Sequence, residues 1–155
     1  RIDHGGQADV CIGDDHVAMG QAAFLPGLNV LDHIGLRDGL ERPLEDEKGL
    51  LLEHLIAQEL YRRTGTLWPE ARLFHYRTKH GAEVDFVLEV GRDLWGIEVK
   101  STHRASSDML TGLASLADRT KRLKRKSLVC LTDRRARLGD VEVLPIREFL
   151  AELPS

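Results

Sequence analysis

Apolar residues change rhythm twice along this chain. Up to Glu45 they come in short runs broken by Gly5-Gly6, Gly13-Asp14-Asp15, Pro26-Gly27 and Pro43, a pattern that predicts turns and one strand near Val10. Leu51, Leu52, Leu55, Ile56 and Leu60 then recur at three- and four-residue steps, the period of an amphipathic helix from Glu47 to Arg63 with Gly65 as its stop. Glu53 flanks that stripe. Strand-like runs follow at Arg72–Arg77, Glu83–Val90 and Leu94–Lys100, and Lys79-His80-Gly81 and Gly91-Arg92-Asp93 supply turns for an antiparallel meander. A second helix is expected from Ser107 to Lys121, capped by Ser106 or Ser107. Strands at Ser127–Leu131 and Val141–Leu144 and a terminal helix at Arg147–Leu153 complete the pattern. Strand, helix, strand between Leu94 and Leu131 implies a right-handed crossover and a parallel pair. The expected fold class is α/β, a mixed β-sheet flanked by helices, with residues 1–45 as an irregular N-terminal segment and 46–155 as the domain.

At 155 residues the chain fits one domain with a real core, and 30% charged residues with a mean hydropathy of −0.27 describe an ordinary globular balance. Cys11 and Cys130 cannot build a disulfide framework, which points to a reducing cytoplasm. The most apolar stretch, Val17 to Leu31, contains Gln21, Pro26 and Asn29, is too short to span a bilayer and lacks the basic flank of a signal peptide. No membrane partner is expected, and the start at Arg1 reads as a piece of a longer protein. Walker A, G-x-G-x-x-G and H-E-x-x-H patterns are absent, as are internal repeats, and the seven histidines show no metal spacing.

A net charge of −3 does not suggest a nucleic-acid binder, but the charge is unevenly spread. Residues 1–45 carry 3 basic and 8 acidic side chains, 46–100 carry 8 and 10, and 101–155 carry 11 and 7. The basic excess collects between Arg119 and Arg137, including Arg122, Lys124 and Arg125. Two readings stand there: a solvated helix face with a charged turn, or a patch that contacts phosphate. No aromatic residue is interleaved to stack on single-stranded bases. Arg77, Lys79 and His80, at the loop entering the Glu83–Val90 run, form a second candidate phosphate contact.

The chemistry concentrates in Glu83–Val90 and Leu94–Lys100. Strict alternation puts Val84, Phe86 and Leu88 on one face and Asp85, Val87 and Glu89 on the other, with Glu98 and Lys100 sharing a face on the next strand. A two-residue turn at Gly91-Arg92 sets Asp85 opposite Glu98, and a one-residue shift of the turn centre sets it opposite Lys100. Both registers gather Asp85, Glu98 and Lys100 on one face and bury Phe86, Ile97 and Val99. Paired carboxylates repel unless a cation lies between them, and an all-oxygen set selects Mg²⁺ or Mn²⁺. An adjacent ammonium, Lys100, can orient a water and neutralise developing charge, the parts needed to hydrolyse a phosphodiester. Glu59 is assigned instead to an ion pair with Arg62 or Arg63, and Trp68 and Trp95 to packing.

A helix carrying Glu53, then D-x12-E-x-K over two strands and a strand–helix–strand crossover, resembles the PD-(D/E)XK nuclease superfamily. The chain is more closely similar to the domain of unknown function found C-terminal to the ATPase module of many prokaryotic AAA-type ATPases. The resemblance is carried by Gly49 to Leu60, Arg77 to Leu88, Ile97 to Ser101 and the ending Val143-Leu144-Pro145-Ile146 with Phe149-Leu150, and covers residues 47–153. It implies a restriction-endonuclease-like core and a Mg²⁺- or Mn²⁺-dependent hydrolase acting on DNA. Asp85 and Glu98 would be metal ligands, Glu53 an accessory ligand and Lys100 the catalytic base. The alternative it leaves is a catalytically silent module that binds DNA or docks on an ATPase partner.

Overall fold

Helix α1 (Leu44–Thr66) opens the part of the chain that the computed structural model describes, residues 44–153, so the turns and strand expected before Pro43 lie outside the described residues. It begins three residues earlier than its periodicity predicts and runs on through Gly65, ending where the Arg63 carbonyl accepts from the backbone N–H groups of both Leu67 and Trp68. Leu52, Ile56 and Leu60 are buried along one line of the helix, whereas Leu51 and Leu55 are exposed. Four-residue steps select a stripe narrower than the full set of leucines, because α1 covers the sheet with one side only.

Six strands follow: β1 (Ala71–Arg77), β2 (Glu83–Val90), β3 (Asp93–Lys100), β4 (Leu123–Cys130), β5 (Ala136–Leu138) and β6 (Val141–Pro145). They form one mixed sheet in the order β1-β2-β3-β4-β6-β5. β1, β2 and β3 are the expected antiparallel meander, and β3–β4 is the expected parallel pair. Its crossover is shorter than predicted: a 3-10 turn (Ser107–Leu110) leads into α2 (Thr111–Arg119), and Ser106 makes no side-chain cap. The last helix is α3 (Ile146–Glu152). The result is an α/β fold with helices on both faces of the sheet.

β4 starts at Leu123 rather than Ser127, and β5 had no visible signal. The missed residues are Lys124, Arg125 and Lys126, whose charges conceal a strand that β3 and β6 hold from either side. Their long stems lie on the sheet while the heads reach carboxylates, Lys126 to Asp140 and Arg125 to Glu142 and Glu152.

Two cores sandwich the sheet. Leu52, Ile56, Leu60, Phe86, Ile97, Val99 and Phe149 fill the side under α1 and α3. Tyr76, Val84, Val87, Leu113, Leu116 and Leu128 fill the side under α2. Val84 and Val87 therefore share a face, which strict alternation forbids. The pairing explains it: Phe74 faces Val87 and Tyr76 faces Val84, so Asp85 and Phe86 together oppose the single residue His75. This β-bulge rotates everything before Phe86 by one position.

The β2–β3 register is the two-residue-turn alternative, with Val90 opposite Asp93 and Phe86 opposite Ile97. Gly91 has φ 61°, the backbone sign that a II′ turn asks of its first central residue. Helix α2 rests directly on this hairpin. A Cβ at Gly112 would lie 1.7 Å from the Glu83 carbonyl oxygen, so only glycine permits the approach. Gly112→Ala gains about 1 kcal/mol in helix propensity but must push backbone aside, an overpacking cost of about 1–3 kcal/mol or more. Denaturant unfolding should therefore show Gly112→Ala destabilised; a variant as stable as the parent would mean that α2 can lift off β2 freely.

Candidate active site at the carboxyl end of β3

The bulge in β2 decides how Asp85 is used. Its carboxylate turns toward the neighbouring strand, where Oδ2 accepts a 2.8 Å hydrogen bond from the Val99 backbone N–H. The paired ladder of β2 with β3 ends at Phe86 and Ile97, so a side chain supplies the acceptor that backbone would otherwise give. Glu98 is buried on the same stretch of β3, and Lys100 Nζ lies 2.5 Å from Glu98 Oε1 and 3.9 Å from Asp85 Oδ2. The expected trio is thus brought together.

Glu53 approaches from α1, which passes the end of β3: a Cβ on Gly49 would be 3.5 Å from Ser101 Oγ. Half-buried Glu53 feels the charges of Asp85 and Lys100. It flanks the pair without closing a three-carboxylate cage, since no group of three His, Cys, Asp or Glu side chains is gathered for a metal among the described residues.

The electrostatics are those of a site with too little positive charge. Burial, with the Asp85 charge second, pushes Glu98 up to about 7 against the pull of Lys100. Burial also raises Asp85, although the Val99 N–H and Lys100 oppose it. Glu53 is raised by burial and by Asp85. Burial works against the Lys100 ammonium, yet its bond to Glu98 and the charges of Asp85, Glu98 and Glu53 outweigh that and lift its pKa. Glu98 Oε2 is buried with no hydrogen-bond partner. An orphaned carboxylate oxygen beside a second carboxylate fits a hard divalent cation, which would satisfy it and offset the surplus charge.

The other candidates divide by position. Arg77, 3.9 Å from Glu83, and exposed Lys79 and His80 stand at the β1–β2 turn, on the Lys100 end of the sheet. Arg122, Lys124 and Arg125 stand at the opposite end, because Arg125 pairs with Trp95, five residues before Lys100, or about 17 Å along the strand. Arg122 binds Glu89 at 2.5 Å and the Arg92 carbonyl, and Arg125 lies 5.1 Å over the Trp95 ring while holding Glu142 and Glu152. Trp95 meets Trp68 edge-on at 5.3 Å, and Glu59 binds both Arg62 and Arg63. Sequence reasoning missed the bulge and Gly112. A glycine inside a nine-residue helix, where alanine is the better helix former, was the available signal for the latter.

Carboxylates with raised native pKa values bind protons more tightly folded than unfolded, so their contribution to stability declines as pH rises, for Glu98 from 4.5 through about 7. Between about pH 5 and pH 8 the parent should lose stability through Glu98, and Glu98→Gln should flatten that slope and gain about 1–3 kcal/mol at pH 8. Melting curves across that range check it; an unchanged slope in Glu98→Gln would assign the pH dependence elsewhere.

A search of curated proteins found no match. Residues 48–149 match the family model described as Domain of unknown function (DUF4143), about two thirds of the chain, and the match includes Glu53, Asp85, Glu98 and Lys100. This chain belongs to the DUF4143 family.

Proposed function

We propose that this domain is a PD-(D/E)XK-type nuclease, a Mg²⁺- or Mn²⁺-dependent hydrolase of DNA phosphodiester bonds that works beside an ATPase module in the cytoplasm. The observation that carries this reading is the cluster of Asp85, Glu98 and Lys100 at one end of β2 and β3, with a buried carboxylate oxygen lacking a partner. The element order α1-β1-β2-β3-α2-β4 and the restriction-endonuclease-like arrangement of helices support it. Among the described residues no helix is long and apolar enough to cross a membrane.

Asp85 and Glu98 would hold the cation, with Glu53 beside them. When bound, such an ion polarises a phosphoryl oxygen and lowers the pKa of a coordinated water. Lys100 is half-exposed, so its ammonium can reach both the carboxylates and a phosphate entering from solvent. Surrounding carboxylates keep it protonated, so in this reading it donates hydrogen bonds and neutralises charge on the phosphate rather than taking a proton. The Val99 N–H holds Asp85 in place meanwhile.

A second reading, the catalytically silent module that binds DNA or docks on an ATPase, is favoured by one observation. Lys100 already satisfies Glu98 Oε1, and the carboxylates form no ready three-ligand group among the described residues. Titration with Mg²⁺ or Mn²⁺ during thermal unfolding separates the two. The nuclease reading expects a saturable rise in Tm that Asp85→Asn abolishes. It also expects metal-dependent cleavage of single-stranded, nicked or branched DNA that Lys100→Ala lowers by about 100-fold or more. No rise in Tm and no product with either metal would leave the silent module as the reading.

A further inference from the structure

Positive charge in this domain is of two kinds, and the difference is visible only in the fold. Most cations of the basic segment already have partners: Arg122 holds Glu89, Arg125 holds Glu142 and Glu152, Lys126 holds Asp140, and Arg135 holds Glu148 and Glu152. A phosphate would have to displace those carboxylates, so these residues contribute little net attraction.

Among the described residues, unpaired cations stand at both ends of the sheet: exposed Arg92, Lys121 and Lys124 at the far end, and a second group around Lys100. Loop 101–106 leaves β3 directly after Lys100 and carries exposed His103 and Arg104. Loop 131–135 leaves β4 at the same level, since Lys100 pairs with Cys130 and the Leu131 N–H donates to the Thr102 carbonyl, and it carries exposed Arg134. The β1–β2 turn brings Lys79 and His80 to the same end from the other side. Among the described residues Lys79, Arg104 and Arg134 have no carboxylate partner, and exposed Asp133 is the opposing charge on the Arg134 loop. From β1 to β4 the sheet crosses three strand spacings, about 14 Å, which is about four phosphates of one DNA strand.

Resting on the nuclease-fold reading above, we infer that the DNA backbone tracks across the carboxyl end of β3, held by Lys79, His80, His103, Arg104 and Arg134. Within the basic segment, Arg122, Arg125 and Lys126 are then structural ion-pair partners at the far end. His103, Arg104 and Arg134 carried no motif in the sequence; two parallel strands with a shared C-terminal level bring them to the rim around Lys100. Each would contact phosphate oxygens, positioning the strand over Asp85 and Glu98 without reading its bases.

The test is fluorescence anisotropy of the full chain with a short labelled DNA, single-stranded and duplex, in EDTA and over a salt series. Arg104→Gln with Arg134→Gln should weaken binding about tenfold or more and reduce the slope of log K against log salt by about two. Arg92→Gln with Lys121→Gln, an exposed charge-matched pair at the far end, should change affinity by less than about twofold. Unchanged melting temperatures confirm that all four side chains are dispensable for folding. If the near-end pair binds like the parent, or if the far-end pair or Lys124→Gln loses as much, the track is overturned while the nuclease-fold reading stands. A parent that binds neither DNA overturns both.

Discussion

One hydrogen bond, from the Val99 N–H to the Asp85 carboxylate, ties the candidate site to the sheet that carries it. It exists because β2 bulges at Asp85 and Phe86 opposite His75. The bulge lets Val84 and Val87 enter one core while Phe86 and Leu88 enter the other, so both hydrophobic layers clamp the distortion. Helix α2 presses on the Glu83 carbonyl through Gly112 from one side. A bulge so confined re-aims one side chain and keeps it there, which is what a site needs from its scaffold.

The same confinement has an electrostatic cost. Glu53, Asp85 and Glu98 share one ammonium, and burial raises the pKa of all three. The fold tolerates this because the strain is local: Glu98 is the one charged side chain among the described residues that is buried, and the hydrophobic layers around it are complete. Exposed pairs such as Arg62 with Glu59 are worth at most about 1 kcal/mol and do not compensate. Stability is spent at the carboxyl end of β3 and recovered in the two cores.

Legibility varied with the kind of signal. The meander Ala71 to Lys100 was readable to within a residue, since period-two patterns and Gly-containing turns are local properties. Asp85, Glu98 and Lys100 were readable as a set, but the parity that grouped them fails at the bulge, and it is the turn of Asp85 toward the Val99 N–H that brings the three together. The first four residues of β4 were not readable, since a run of Lys and Arg resembles a solvated helix until partners such as Glu142 and Asp140 are known. Leu51 and Leu55 read as core, and only the placement of α1 on the sheet leaves them exposed.

By itself the sequence determined the alternation of elements, the presence of a turn at Gly91 and the identity of the chemically capable side chains, because each depends on contacts between near neighbours in the chain. Tertiary structure decided which of these act together. The bulge arises from a mismatch between β1 and β2, the burial of Glu98 from packing on both faces, and the pairing of Arg122, Arg125 and Lys126 with distant carboxylates from strands that meet only when the sheet closes. Such features depend on residues tens of positions apart, and no local pattern encodes the distance between them.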